Sequence, residues 1–212
     1  MSSVAIIDYG MGNLRSVAKA IEHVAPDAEV LVTCDPEVVR RADRVVFPGQ
    51  GAMPDCMREM EARGLHDAVL GAAAEKPFLG ICIGLQMLFQ HSEEGDVPGL
   101  GVFAGEVRRF PDARMMTPGG ERLKVPHMGW NEVWQSRPHA LWENIPDGDR
   151  FYFVHSYFVV PAEPVVSAAT TDYGLRFTSA IARDNIVAVQ FHPEKSAHAG
   201  LQLLSNFMRW KP

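Results

Sequence analysis

Short apolar runs alternate with helix-spaced apolar positions through the first half of the chain. Val4 to Asp8 reads as a strand, and Leu14, Val17, Ala18, Ile21 and Val24 then recur at helical spacing, which predicts a β-α unit. Ala28 to Thr33 repeats the strand signal. Asp35-Pro36-Glu37 marks a helix start, with a capping aspartate and a first-turn proline, and Arg44 to Pro48 and Phe78 to Cys82 predict a third and a fourth strand. Strands separated by helices imply an α/β fold: a mostly parallel central sheet with helices on both faces, whose sites form outside the carboxyl ends of the strands.

From about Glu106 the texture changes to closely spaced β-rich pieces, Arg150 to Val160, Val165 to Ala169 and Ile186 to Phe191 among them, which predicts antiparallel additions to the sheet. A last helix is expected over Ala197 to Trp210, and the proline- and glycine-rich stretch Pro111 to Gly120 reads as a surface loop. With 212 residues, 47% of them hydrophobic, the chain is long enough for one domain spanning 1–212 with a sizeable core.

Charge and cysteine content narrow the class. The net charge of -6 is spread along the chain without a basic stripe, which argues against nucleic acid as a partner. The amino terminus lacks the pattern of a signal peptide, and no run of about 18 apolar residues suggests a membrane span, so a cytoplasmic protein is expected. Cys34, Cys56 and Cys82 are odd in number and widely spaced, which suits reduced thiols better than a disulfide framework or a zinc site; no metal or cofactor is expected.

One of these thiols stands in a special frame. Gly80-Ile81-Cys82-Ile83-Gly84 sets a nucleophile between two glycines, after an apolar strand and before the helical run Leu85 to Gln90, which is the strand-to-helix elbow G-x-nucleophile-x-G with cysteine in place of serine. The glycines leave room beside the nucleophile, and the amino terminus of the following helix favours the reactive thiolate. A buried cysteine ending a core strand gives the same five-residue pattern, so the presence of a base decides between the two.

Gln190-Phe191-His192-Pro193-Glu194 supplies that base. It follows the apolar strand Ile186 to Val189, and residues two apart on an extended chain share a side, so His192 can take the thiol proton while Glu194 orients and stabilises the imidazolium. The remaining need is a pair of donors for the oxyanion of a tetrahedral intermediate. The backbone N–H of Ile83 is one; the loop Pro48-Gly49-Gln50-Gly51 after the third strand offers a second, from Gly49 or from Gln50.

Together, the Pro48–Gly51 loop, the Gly80–Gly84 elbow with Gln86, and His192-Pro193-Glu194 resemble the class I glutamine amidotransferases. The resemblance implies hydrolysis of glutamine to glutamate and ammonia through a γ-glutamyl thioester on Cys82. Asp8 to Asn13, Val125 to Asn131 and His155-Ser156-Tyr157-Phe158 narrow it, over essentially the whole chain, to the glutaminase subunits of imidazole glycerol phosphate synthase. That family implies Gln86, His155, Ser156 and Tyr157 as contacts for glutamine. It also implies a (β/α)8-barrel cyclase subunit as heterodimer partner, which joins the ammonia to a phosphoribulosyl formimino nucleotide to give imidazole glycerol phosphate and an aminoimidazole carboxamide ribotide in histidine biosynthesis. Asn13, Met128, Gly129, Trp130, Asn131, Lys195 and Ser196 are implied at the docking face, with Trp130 as an anchor. Many members carry an apolar residue where Gln50 stands here.

Rival readings are a glutaminase serving another acceptor, a self-sufficient cysteine hydrolase that turns over without a partner, and a non-catalytic binding module, which would require a damaged elbow or base. A nucleotide site at Gly10-Met11-Gly12 lacks the third glycine of that fingerprint, Arg15 standing in its place.

Overall fold

The structure is a computed structural model that describes residues 2–111, 115–117 and 119–212. Its first half runs β1 (Ser3–Ile7), α1 (Leu14–Val24), β2 (Glu29–Thr33), α2 (Pro36–Arg41), β3 (Arg44–Phe47), α3 (Met53–Ala62), α4 (His66–Glu75), β4 (Phe78–Ile81) and α5 (Ile83–Met87). There follow β5 (Phe89–Ser92), β6 (Val97–Pro98), β7 (Phe103–Arg109), β8 (His127–Glu132), β9 (Trp134–Gln135), β10 (Arg150–His155), β11 (Tyr157–Pro161), β12 (Ser167–Asp172), β13 (Arg176–Arg183), β14 (Ile186–Val189) and α6 (Ala197–Arg209).

Strands β2, β1, β3, β4 and β14 lie side by side and parallel, and β13, β11 and β7 extend the same sheet antiparallel. The sheet is therefore the mixed one expected, with β14 the strand that joins its two halves. The parallel strands are apolar on both faces because both are covered. In β1, Val4 and Ile6 face the core that includes α1 and α6, while Ala5 and Ile7 face the core beneath α3, α4 and α5. The same alternation divides Val46 from Val45 and Phe47 in β3, and Val187 and Val189 from Ile186 and Ala188 in β14.

Several local expectations shift. The helical run placed over Leu85 to Gln90 is the short α5, and Phe89 already starts a strand, held by β7 and by stacking of its ring on Phe103 at 5.9 Å. Six residues, four of them apolar, cannot separate a buried helix from a buried strand, and the sheet decides. The strand expected over Val165 to Ala169 begins only at Ser167, because Pro164 opens a single 3-10 turn over Pro164–Val166. Positions 53–75, without a strong sequence pattern, form α3 and α4; the inner face of α4 is largely alanine, which gives little periodic contrast. Of the loop expected over Pro111 to Gly120, residues 112–114 and 118 lie outside the described residues. Among the described residues, no helix is long and apolar enough to cross a membrane.

A separate two-stranded ribbon, β8 against β10, places His127 opposite His155 and Trp130 opposite Tyr152. Its strands alternate: His127, Phe153 and His155 are buried, while Met128 and Trp130 are 61% and 49% exposed. One ribbon thus carries a buried face of histidines and phenylalanines and an opposite face where Met128 and Trp130 are exposed.

Candidate active site

Cys82 is where the parallel sheet stops. Its amide donates to the Val189 carbonyl at 2.8 Å, and the chain then turns through φ 56° and ψ -109° into α5. Positive φ on a residue with a Cβ costs on the order of 1–3 kcal/mol and is tolerated only where the surroundings impose it. Here the flanking glycines let the elements close on the elbow: a Cβ at Gly84 would lie 1.9 Å from the Phe47 carbonyl oxygen, and one at Gly80 2.8 Å from the Ala188 Cβ.

His192 follows the carboxyl end of β14, next to β4, and its backbone N–H is tied to the Tyr152 carbonyl at 2.9 Å. The 3-10 turn Pro193–Lys195 brings Glu194 back, so that Glu194 Oε1 lies 2.9 Å from His192 Nδ1, both side chains being almost fully buried. His192 Nε2 has no conventional hydrogen bond and is left for the cleft that His192 and Cys82 both line. Burial alone would push the imidazole pKa down. The Cys82 charge and sulfur, followed by the Glu194 carboxylate, outweigh it and raise the group to about 10. Beside an ionised Cys82, His192 is therefore held toward the imidazolium.

That cleft has a volume of about 170 Å³. It is smaller than the roughly 300–1,000 Å³ of pockets for drug-sized ligands and suits an amino acid. Gln50, Ile83, Gln86, His155, Ser156 and Tyr157 also line it, whereas Gly49 and Glu194 line a small neighbouring cavity that shares Gln50 and His192 with it. Ile83 opens α5, where the first amides of a helix have no intrahelical acceptor. Gly49 is buried beneath the loop: a Cβ there would come 1.6 Å from Tyr9 Oη and 2.3 Å from Ile83 Cγ2. The two proposed oxyanion segments are thus in direct contact, and only glycine fits between them. Two larger depressions, of about 660 and 690 Å³, lie elsewhere, and neither contains Cys82 or His192; chemistry, not volume, marks the site.

The residues suggested for docking fall in different settings. Asn13 is exposed ahead of α1 and lines a small cavity with Gly49, Gln50 and Glu194. Met128, Gly129, Trp130 and Asn131 lie along β8, and the Lys195 ammonium stands 5.9 Å from the centre of the Tyr152 ring. Ser196 is buried; its hydroxyl donates to the His192 carbonyl at 2.6 Å and accepts from the Tyr152 amide at 3.0 Å, tying β10 to the turn that holds the base.

Three further residues join the site without having been singled out by sequence. Glu94 lines the cleft and accepts from the Met53 amide at 2.8 Å. Gln190 is fully buried beside the sulfur. His127 pairs with His155 through Nδ1 and Nε2 at 2.9 Å. The protons of that pair can be placed. Asn131 Oδ1 accepts from the Glu132 amide, so its Nδ2 donates to His127 Nε2 at 3.2 Å; His127 Nδ1 then donates to His155 Nε2, and His155 Nδ1 to the Tyr157 carbonyl at 2.8 Å. Burial pushes both imidazoles down, His127 to about 4 and His155 to about 3, the latter also opposed by the charge that His127 would carry. The only sequence signal for this pair was the presence of a histidine in each of the two segments that form the ribbon.

Known proteins resemble this chain in sequence and in fold. The sequence profile of the family Glutamine amidotransferase class-I matches residues 5–210. The chain is 72% identical over 212 residues to the imidazole glycerol phosphate synthase subunit HisH of Aromatoleum aromaticum, covering 100% of both chains. It is 69% identical over 210 residues to the subunit of the same name from Dechloromonas aromatica, covering 99% of this chain and 97% of the relative. Among known structures, the glutaminase domain of Trypanosoma brucei CTPS with bound acivicin superposes with a TM-score of 0.62 at 15% identity, over 100% of this chain and 96% of that one. A crystal structure of a glutamine amidotransferase gives a TM-score of 0.67 at 18% identity over 97% of each chain. At these identities the structural likeness concerns the fold.

Proposed function

Because the chain belongs to the class I glutamine amidotransferases, and within them to the HisH glutaminase subunits of imidazole glycerol phosphate synthase, we propose that Cys82, His192 and Glu194 carry out its glutamine hydrolysis. The single observation behind this assignment is the strained Cys82 elbow sharing one amino-acid-sized cleft with a His192 whose far nitrogen is held by buried Glu194. In this reading Cys82 Sγ attacks the carboxamide carbon of glutamine. Negative charge develops on the carbonyl oxygen, which is met by the Ile83 N–H and by a peptide N–H of Gly49 or Gln50. His192 gives its proton to the departing nitrogen, releasing ammonia and leaving a γ-glutamyl thioester. Water, deprotonated by His192, then attacks the thioester carbonyl and returns glutamate and the thiol.

Gln86, His155, Ser156 and Tyr157 border the cleft on the substrate side, and Glu94 adds a carboxylate suited to the α-ammonium group of glutamine. The chain works in histidine biosynthesis as the glutaminase half of a synthase. The partner we propose is a (β/α)8-barrel cyclase subunit, docked on the face where Met128 and Trp130 are exposed, with Asn13, Gly129, Asn131, Lys195 and Ser196 near or beneath that contact. Exposed large apolar side chains on a two-stranded ribbon favour a covered surface. We assign the work to one domain spanning 1–212 and to the cytoplasm, in keeping with three cysteines that are all free.

The test is glutamate release from glutamine, measured with and without the cyclase and its nucleotide ligand, for wild type and Cys82→Ala. Activity that requires Cys82 and rises when the ligand-bound cyclase is present is expected, while the Cys82→Ala complex still uses ammonium salts. Full activity of the isolated chain would instead make it a self-sufficient hydrolase, and loss of ammonium-dependent activity in Cys82→Ala would give Cys82 a structural role.

A further inference from the structure

A fully buried glutamine beside a nucleophile calls for an explanation, because an amide removed from water is costly unless its groups are paired. Gln190 directly follows β14 and is 0% exposed. Its backbone N–H donates to the Ser179 carbonyl at 2.9 Å, and the preceding Val189 carbonyl accepts the Cys82 amide. The main chain of Gln190 and that of Cys82 are thus fixed to one another across two neighbouring strands.

The direction of the Gln190 side chain follows from its neighbours. Gln86 Nε2 donates one hydrogen to the Tyr157 carbonyl at 3.1 Å and the other to Gln190 Oε1 at 3.0 Å. With its oxygen committed to Gln86, Gln190 must turn its NH₂ group the other way, and Nε2 lies 3.7 Å from Cys82 Sγ. Sulfur is large and accepts at longer distances than oxygen, most strongly when it carries charge.

We infer that Gln190 is a positioning residue for the glutaminase reaction: its amide donates to the Cys82 sulfur and accepts from Gln86, holding nucleophile and substrate-binding carboxamide in one fixed relation. This rests on Cys82 being the nucleophile and Gln86 a substrate contact. The donor on sulfur has two effects. It favours the thiolate over the thiol, and it holds the sulfur in the strained elbow in a single orientation. The acceptor for Gln86 ties the substrate side of the cleft to the same amide, so nucleophile and substrate are placed by one group.

The experiment uses the full chain bound to its synthase partner. Gln190→Met keeps the length and approximate volume of the side chain and removes both hydrogen-bonding groups. It is expected to lower kcat for glutamine hydrolysis by about tenfold or more, raise KM several-fold through the freed Gln86, and slow iodoacetamide alkylation of Cys82, read on the Cys82 peptide, by a similar factor. Gln190→Glu supplies the readout that a purely structural role would not move. A neutral carboxyl can donate to sulfur and accept from Gln86, whereas a carboxylate repels the thiolate, so activity relative to wild type should recover between pH 8.5 and pH 6. Unchanged kcat and alkylation rate in Gln190→Met, or a flat ratio across pH in Gln190→Glu, overturns the inference. Cys82→Ala run alongside separates the two levels: if it still hydrolyses glutamine, the site reading fails, whereas if only the Gln190 variants behave as wild type, the fault lies with Gln190 alone.

Discussion

Two buried histidine pairs in this molecule hold their protons in opposite ways. His192 faces a carboxylate on one nitrogen and the nucleophile's cleft on the other, and it is raised to about 10. His155 faces a second imidazole, and both members of that pair are depressed, to about 3 and about 4. Burial is comparable, His192 being 5% and His127 2% exposed. The partner therefore decides: desolvation pushes every histidine toward the neutral form, and only an adjacent negative charge reverses it. The charged histidine moves protons. The neutral pair serves as a directed hydrogen-bond chain that begins at Asn131 on the ribbon and ends at the Tyr157 carbonyl, which also takes the Gln86 amide.

The contrast breaks most directly at the base. His192→Ala removes both the proton acceptor for Cys82 and the proton donor for ammonia, and glutamate release should fall by about 10³-fold or more, within the range typical of acid–base residues. A loss of less than tenfold would mean that another group moves the proton. A smaller effect is expected at Glu194→Gln, where an oxygen can still accept from His192 Nδ1 but the negative charge is gone. Glutamine hydrolysis should drop by about 10- to 100-fold, and an NMR titration should show the His192 imidazole displaced downward from about 10. If the titration did not move, the Cys82 charge alone would be holding the proton.

The fold and the site were not equally legible in sequence. The apolar runs of β1 and β3 and the capped start of α2 are local signals, and the structure follows them: Asp35 Oδ1 accepts the Glu37 amide at 2.8 Å, as a cap should. The elbow and the His192-Pro193-Glu194 turn are equally local, since each fits within five residues. Gln190 and His127 act through contacts whose partners lie far along the chain, Gln86 being 104 positions from Gln190 and His155 28 positions from His127. Nothing in the identity of a glutamine or a histidine announces such a partner. The same holds for Gly49, whose lack of a side chain is needed only because Tyr9 and Ile83 close on it from separate elements.

The neutral pair gives the smallest effect, and it concerns stability. Its sign is opposite to that of the charged pair. A histidine raised to about 10 adds stability that is complete below the unfolded value near 6.5 and is lost as pH rises through about 10. His127 and His155 stay neutral in the folded chain while the unfolded chain takes up protons near 6.5, so their contribution is present above that value and lost as pH falls toward about 4 and about 3. Each such group steepens the acid-side decline by up to roughly 1.4 kcal/mol per pH unit. His127→Phe tests this with little disturbance of shape, because the ring already stacks between Phe153 at 4.7 Å and Tyr173 at 3.9 Å. At pH 7 the variant should lose about 1–2 kcal/mol, since His155 Nε2 is left without its donor. Below pH 6.5 its denaturant-derived stability should fall less steeply than that of wild type, and at roughly 1.4 kcal/mol per pH unit the two curves should meet at about pH 5 and cross below it. Parallel curves would mean that His127 titrates alike in the folded and unfolded chain, and the ribbon would then hold its histidines for packing and not as a fixed chain of donors.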